Sequence, residues 1–145
     1  KGIFGKFLNY LYPNPIFRLI SMTNININSK VLDIGCGNGN ILYAMKHSGM
    51  NNLKGIDPYI KEDIKYDNGL LIEKISINEE KQKWDLVMLH HVLEHMDNQK
   101  EVMKSIHEKL FLLYIAAPMP PNLCDIGSIL LPSFSFCRIL PPFSR

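Results

Sequence analysis

Residues 29–40 read SKVLDIGCGNGN, an apolar run of Val31, Leu32 and Ile34 that stops at glycines 35, 37 and 39. Such a run, with β-branched members, predicts a short strand buried on both faces. A helical apolar pattern follows from Ile41. A strand that enters a glycine-rich turn and then a helix builds a particular kind of site. No Cβ holds a ligand away from the backbone, and the amides at the helix start face it. Nucleotides are the usual ligands of such a turn.

Spacing narrows the choice. A dinucleotide fingerprint, G-x-G-x-x-G, starting at Gly35 would require glycine or alanine at position 40, where this chain has Asn40. The pattern is instead Asp33-x-Gly35-x-Gly37-x-Gly39. A carboxylate at position 33 would repel a pyrophosphate and suits an ammonium or sulfonium group. This D-x-G-x-G-x-G run resembles the first motif of the class I S-adenosylmethionine-dependent methyltransferases, and VLDIGCGNG matches it closely. The resemblance implies S-adenosylmethionine as cofactor, with Asp33, Gly35, Cys36 and Gly37 lining its site.

Composition sets wider bounds. The chain's 145 residues predict a single domain, 1–145, with one core. A net charge of +2 and the lack of a Lys/Arg block argue against a nucleic-acid partner. Cys36, Cys124 and Cys137 form no C-x-x-C pair, so they read as thiols in a reducing cytoplasm. No secretory signal is visible, and the longest apolar run, 110–117, falls far short of the roughly 20 residues of a membrane span.

Taken in order, residues 1–12 are aromatic and lightly basic, and Asn14-Pro15 predicts a helix start with Ile16, Leu19 and Ile20 on its apolar side. That segment could pack on the sheet edge, cover an acceptor site or touch a membrane surface. After the glycine turn, Ile41, Leu42 and Met45 share a helical face, and Gly49 stands at a C-terminal cap. LKGID, 53–57, predicts a second strand ending in Asp57, which would accept ribose hydroxyls, with a turn-forming Asp before Pro58 as the alternative. In the family resembled, this acid is the second landmark, and Gly55-Ile56-Asp57-Pro58 fits it, with Pro58 beside the cofactor. Residues 59–69 are charged and irregular, with a turn at Asp67-Asn68-Gly69, and 70–77 predict a third strand. Family members commonly end that strand with an acid and an aliphatic residue against the adenine. Here the pair is Ser76-Ile77, which leaves Ile77 to pack on the adenine.

WDLVMLH, 84–90, predicts a buried fourth strand, followed by His91-Val92-Leu93-Glu94-His95. This stretch resembles small-molecule methyltransferases of quinone biosynthesis and of sugar and polysaccharide modification. Asn98 with Glu101 fits a capping box, and Val102, Met103, Ile106 and Leu110 mark a helix face over about 98–110. Residues 111–117 predict a fifth strand. Six of the nine prolines then crowd into 118–142. The resemblance covers 16–118, and 119–145 is an atypical tail without residues for the family's last helix and closing antiparallel hairpin. A truncated or shifted reading frame explains that tail best, with a rearranged cap or a membrane-adhering segment as alternatives.

Alternating strands and helices predict a parallel α/β sheet with helices on both faces. The resemblance makes it Rossmann-like and doubly wound, with strand order 3-2-1-4-5. Ligands of such sheets bind at the carboxyl ends of the strands near the switch point. Gly35–Gly39, Asp57, Ile77 and His90-His91 are all expected there, with His90 lining the cofactor pocket. His91 and His95 are the available general bases for an acceptor that must lose a proton. Histidines at a helix start also cap it or bond backbone, and Glu94 with His95 leaves a divalent cation as an alternative, although no metal is expected. The expected function is methyl transfer to a small-molecule acceptor. The alternatives are a non-catalytic S-adenosylmethionine-binding module or remnant and, with less support, a nicotinamide-dependent oxidoreductase. An exposed sheet edge would allow oligomers.

Overall fold

Strand β1 (Val31–Ile34) lies inside the sheet with all four residues buried. The computed structural model describes residues 25–107 and 113–116. The N-terminal helix expected from Asn14, the tail after Ala116 in which no closing hairpin is expected, and Cys124 and Cys137 lie outside them. The other elements are α1 (Asn40–His47), β2 (Leu53–Ile56), β3 (Ile64–Lys65), β4 (Leu71–Glu73), β5 (Leu86–His90), α2 (Gln99–His107) and β6 (Leu113–Ala116).

The strand order is β3-β4-β2-β1-β5-β6. β1 runs parallel to β2 on one side, Val31 opposite Leu53, and to β5 on the other, Val31 opposite Leu86. β4 continues parallel beyond β2, and β6 parallel beyond β5. The expected five-stranded order is therefore present as β4-β2-β1-β5-β6. One strand is added: β3 pairs antiparallel with β4 at the edge, inside the stretch read as irregular. The third strand is also shorter than expected, because it ends at Glu73. Beyond it Ser76 turns, giving both its N–H and its hydroxyl to Glu79 Oε2 at 2.8 Å.

Alternation along the strands sorts the core into two layers. Val31, Leu86 and Met88 join Leu42, Met45 and Met50 on the α1 face. Leu32, Ile34, Val87 and Leu89 join Trp84, Met103 and Ile106 on the α2 face. Helices thus cover both faces.

The predicted stop of α1 at Gly49 is a Schellman motif. Gly49, at φ 96°, gives its N–H to the Lys46 carbonyl, and Met50 gives its own to Met45. Both methionines are fully buried in the same cluster, the apolar contact that accompanies this motif. At α2, the N–H groups of Glu101 and Val102 bond the Asn98 carbonyl.

Asp85, just before β5, acts as a clamp on Lys30. Asp85 Oδ2 accepts the Lys30 N–H at 2.8 Å, while the N–H groups of Asp85 and Leu86 bond the Lys30 carbonyl. The β1–β5 register is fixed at that end, so the opposite ends of both strands arrive together. On the α2 face Lys54 pairs with Glu73, and with Glu80 at 2.7 Å.

Candidate functional site

β1 and β5 are neighbours whose continuing chains leave in opposite directions across the sheet, so their carboxyl ends form the switch point. The two exits touch. A Cβ placed on Gly35 would come within 2.5 Å of the Val92 side chain, just past β5. Gly35 is therefore the residue that lets the two loops close on each other, at φ 67°. Gly39 plays a similar packing part, with Ile72 where its Cβ would be. Gly37 differs: at φ 55° it has nothing within 4 Å of the Cβ position. Among the three glycines of the motif, the close approach of a ligand expected from sequence is available at Gly37.

Hydrogen bonds pin the turn. Gly35 gives its N–H to the Ile56 carbonyl at 2.8 Å and Gly39 gives its own to the Cys36 carbonyl at 2.9 Å. Gly37 N–H goes to Asp57 Oδ2 at 2.9 Å. The other Asp57 oxygen accepts the Tyr59 N–H at 2.8 Å, and the Asp57 N–H bonds the Glu73 carbonyl. Asp57 joins three strand ends, β1, β2 and β4. Each carboxylate oxygen accepts more than one hydrogen bond, so these bonds leave lone pairs for a ligand hydroxyl. Pro58 is exposed beside it, and Tyr59 is 92% exposed.

Asp33 occupies one row of the sheet with Met88, Gly55 and Ile72. It is 3% exposed, and its Oδ1 has no hydrogen-bond partner. A buried carboxyl oxygen without a partner is costly and normally marks a missing ligand or solvent atom. Burial, and secondarily the charge of Asp57, push the Asp33 carboxyl up to about 8. Burial first, then Asp33 and Asp57, also push the Cys36 thiol up, so it stays protonated and unreactive. Cys36 packs over Gly55, where a Cβ would meet its Sγ at 2.5 Å.

His90 ends β5, half-buried, with its ring edge-on to that of His91 at 4.7 Å between centroids. His91 is exposed and has φ 56°, a left-handed conformation that side chains other than glycine adopt at a cost. His95 is exposed at the end of a 3₁₀ turn, Leu93–His95, whose first carbonyl takes Gln99 Nε2 at 2.9 Å. The glycine turn, Asp57 and the β5 exit thus come together. Ile77 is buried at 5% exposure in the α2-face cluster with Ile56 and Trp84. The Ser76 hydroxyl donates its proton to Glu79 Oε2.

Val92 and Tyr66 matter at this site without having been singled out from sequence. The Tyr66 hydroxyl donates to the Asn38 carbonyl at 2.6 Å. No local pattern marks either residue, since each acts across the sheet. Among the described residues no group of three or more His, Cys, Asp or Glu could hold a metal ion, and the Glu94 side chain lies outside the described set. No helix among them is long and apolar enough to cross a membrane.

Residues 6–127 match the family described as Methyltransferase domain. Among solved structures, magnesium protoporphyrin IX methyltransferase from Synechocystis PCC 6803, with bound S-adenosylmethionine, aligns with a TM-score of 0.59 and 17% identity, over 86% of this chain and 65% of that one. The plantazolicin methyltransferase, in complex with a monoazolic desmethylPZN analog and S-adenosylhomocysteine, aligns with a TM-score of 0.56 and 19% identity, over 90% and 53%. In sequence, EEF1A lysine methyltransferase 2 from Danio rerio is 37% identical over 59 residues, 41% of this chain and 25% of that protein. The chain therefore spans less than two thirds of the length of each of these relatives.

Proposed function

Because this chain belongs to the methyltransferase domain family, we propose that it binds S-adenosylmethionine at the β1–α1 turn and transfers the methyl group to a small-molecule acceptor. The observation that carries the cofactor is the buried, unpartnered Oδ1 of Asp33 in the strand that leads into the open turn at Gly37. A buried acid with an orphaned oxygen fits an ammonium or sulfonium, whose charge favours the ionised carboxyl, and a pyrophosphate offers it no such partner. The same feature argues against the nicotinamide alternative.

In this reading Asp33 and the 35–37 backbone hold the amino-acid end of the cofactor. Asp57, with lone pairs left over from Gly37 and Tyr59, takes the ribose, and Pro58, Ile77 and His90 border the remainder. When bound, S-adenosylmethionine supplies a methyl group on a sulfonium that is already a good electrophile. The chain's own contribution is alignment and exclusion of water. His91 and His95 are the bases proposed to take a proton from the acceptor. The protonated Cys36 thiol takes no part. A cytoplasmic site of action agrees with its free thiol.

The match to a lysine methyltransferase favours a second acceptor class, a protein side chain. Incubation with methyl-labelled S-adenosylmethionine and a cell extract, split into metabolite and protein fractions, tests both. Label in the metabolite fraction is expected, and label confined to protein replaces the small-molecule reading. Binding of S-adenosylhomocysteine without any transfer would leave a binding module. A melting shift with NAD and none with S-adenosylhomocysteine would overturn the cofactor.

A further inference from the structure

The crossover from β2 to β4 contains a hairpin and no helix, and one of its side chains reaches back to the glycine turn. Tyr66 belongs to the hairpin's turn: its N–H bonds the Leu70 carbonyl at 3.0 Å, and its carbonyl takes the Gly69 N–H at 2.9 Å. Its hydroxyl then donates to the Asn38 carbonyl at 2.6 Å. Its ring lies 5.2 Å from that of Tyr43 on α1, which in turn lies 4.7 Å from the ring of His47. Asn38 stands between Gly37, tied to Asp57, and Gly39, tied to Cys36.

We propose that Tyr66 is a positioning residue for this turn. Its hydroxyl fixes the Asn38–Gly39 peptide, and its ring braces α1 through Tyr43. Glycines flank Asn38, and such backbone has more freedom to lose than any other when a ligand orders it. A turn held in shape beforehand spares binding that loss. Asp57 holds the turn from the β2 side, and Tyr66 holds it from the edge hairpin. Tyr66 needs no contact with the ligand to do so.

The inference rests on the reading of this turn as the cofactor site, but one of its readouts does not. Tyr66→Phe keeps the ring and removes the single hydroxyl. The expected protein melts within a few degrees of the wild type, exchanges the amides of residues 37–39 faster, and binds S-adenosylhomocysteine roughly three- to tenfold more weakly, an effect of the size of one neutral hydrogen bond. KM for S-adenosylmethionine should rise by a similar factor with kcat kept. Tyr43→Phe, which takes a hydroxyl from the same aromatic group, should change none of these. Wild-type exchange and wild-type affinity in Tyr66→Phe overturn the proposal, as does a melting point far below wild type, which would make the hydroxyl a folding determinant. If the wild type itself does not bind S-adenosylhomocysteine, the cofactor reading fails and amide exchange alone decides the role of Tyr66.

Discussion

Oδ2 of Asp57 accepts the N–H of Gly37 at 2.9 Å, so the residue after β2 holds the turn that follows β1. Both Asp57 oxygens face backbone donors, Gly37 on one side and Tyr59 on the other. In Asp57→Asn, an amide NH₂ must confront one of these N–H groups. The expected loss is roughly 1–3 kcal/mol of stability, the cost of an unsatisfied buried donor. Weaker binding of S-adenosylhomocysteine should accompany it. Urea unfolding and a ligand titration on the same variant check both. Unchanged stability would show the turn to be held by other bonds.

The glycines separate packing from ligand approach. Gly35→Ala drives a methyl into Val92 and adds the cost of left-handed backbone, roughly 1–2 kcal/mol. Pairing it with Val92→Ala should recover the packing part and leave the backbone part. Gly37→Ala meets nothing, so its stability loss should stay near the backbone cost of roughly 1–2 kcal/mol. Its affinity for S-adenosylhomocysteine should nevertheless fall at least about tenfold, equivalent to about 1.4 kcal/mol. Equal affinity losses in Gly37→Ala and in the Gly35/Val92 double variant would remove the distinction drawn between the two glycines.

Asp33 predicts a pH dependence of definite sign. Its carboxyl titrates at about 8 in the fold, against 3.8 for the unperturbed group. Between those values the native chain keeps a proton that the unfolded chain has lost. Stability is then highest below the unfolded value, falls as pH rises, and levels off above about 8. Asp33→Asn should flatten that slope. The charged and titratable neighbours are Asp57 and the Cys36 thiol, which stays protonated over this window. A ligand ammonium favours the ionised carboxyl, so below about pH 8 binding should release a proton. Calorimetric titration of S-adenosylhomocysteine in two buffers of different ionisation heat measures it. Identical heats in both would contradict the pairing.

What could be read from sequence divides along physical lines. β1 and β5 were legible because strands buried on both faces have to be apolar at nearly every position, as in Val31–Ile34 and Leu86–His90. The α1 stop was legible because Gly49 supplies a backbone angle that other residues resist. β3 was not: Ile64–Lys65 is two residues on an edge, too short for a period to register. The end of β4 is hidden in the sequence because Ile75 and Ile77 continue an apolar pattern that Ser76 and Glu79 break by hydrogen bonding. At the site, the positions of Asp33, Gly37 and Asp57 could be read from spacing. The different work of Gly35 and Gly37 could not, since it depends on Val92 across the sheet.

Lys54 was equally hidden within an apolar strand. It lies between Glu73 and Glu80, and Glu80 is only 2% exposed. Lys54→Met leaves Glu80 buried with its cation gone. The expected loss is roughly 3 kcal/mol, the lower end for a broken buried pair, because Lys54 and Glu73 retain some water. Adding Glu80→Leu should recover most of it by replacing the orphaned charge with apolar volume. Chemical denaturation of the single and double variants measures the recovery. A double variant no better than Lys54→Met would mean the cost came from lost packing of the lysine stem.

His91 joins backbone cost and proposed chemistry in one residue. Its φ of 56° lies where a side chain crowds its own carbonyl, and its imidazole stands exposed at the exit of β5. Glycine at this position removes the steric cost, so His91→Gly should gain up to about 1 kcal/mol of stability. Affinity for S-adenosylhomocysteine should hold, because the turn at 35–37 and Asp57 are untouched. Methyl transfer into the extract should fall about 100-fold, the lower range for loss of a general base. His91→Asn serves as the second arm: asparagine tolerates the left-handed angle, so it separates the ring from the backbone. A drop in transfer shared by both variants, with stability raised or kept, assigns the effect to the imidazole. Full transfer by His91→Gly would take His91 out of the chemistry and leave His95 as the remaining base.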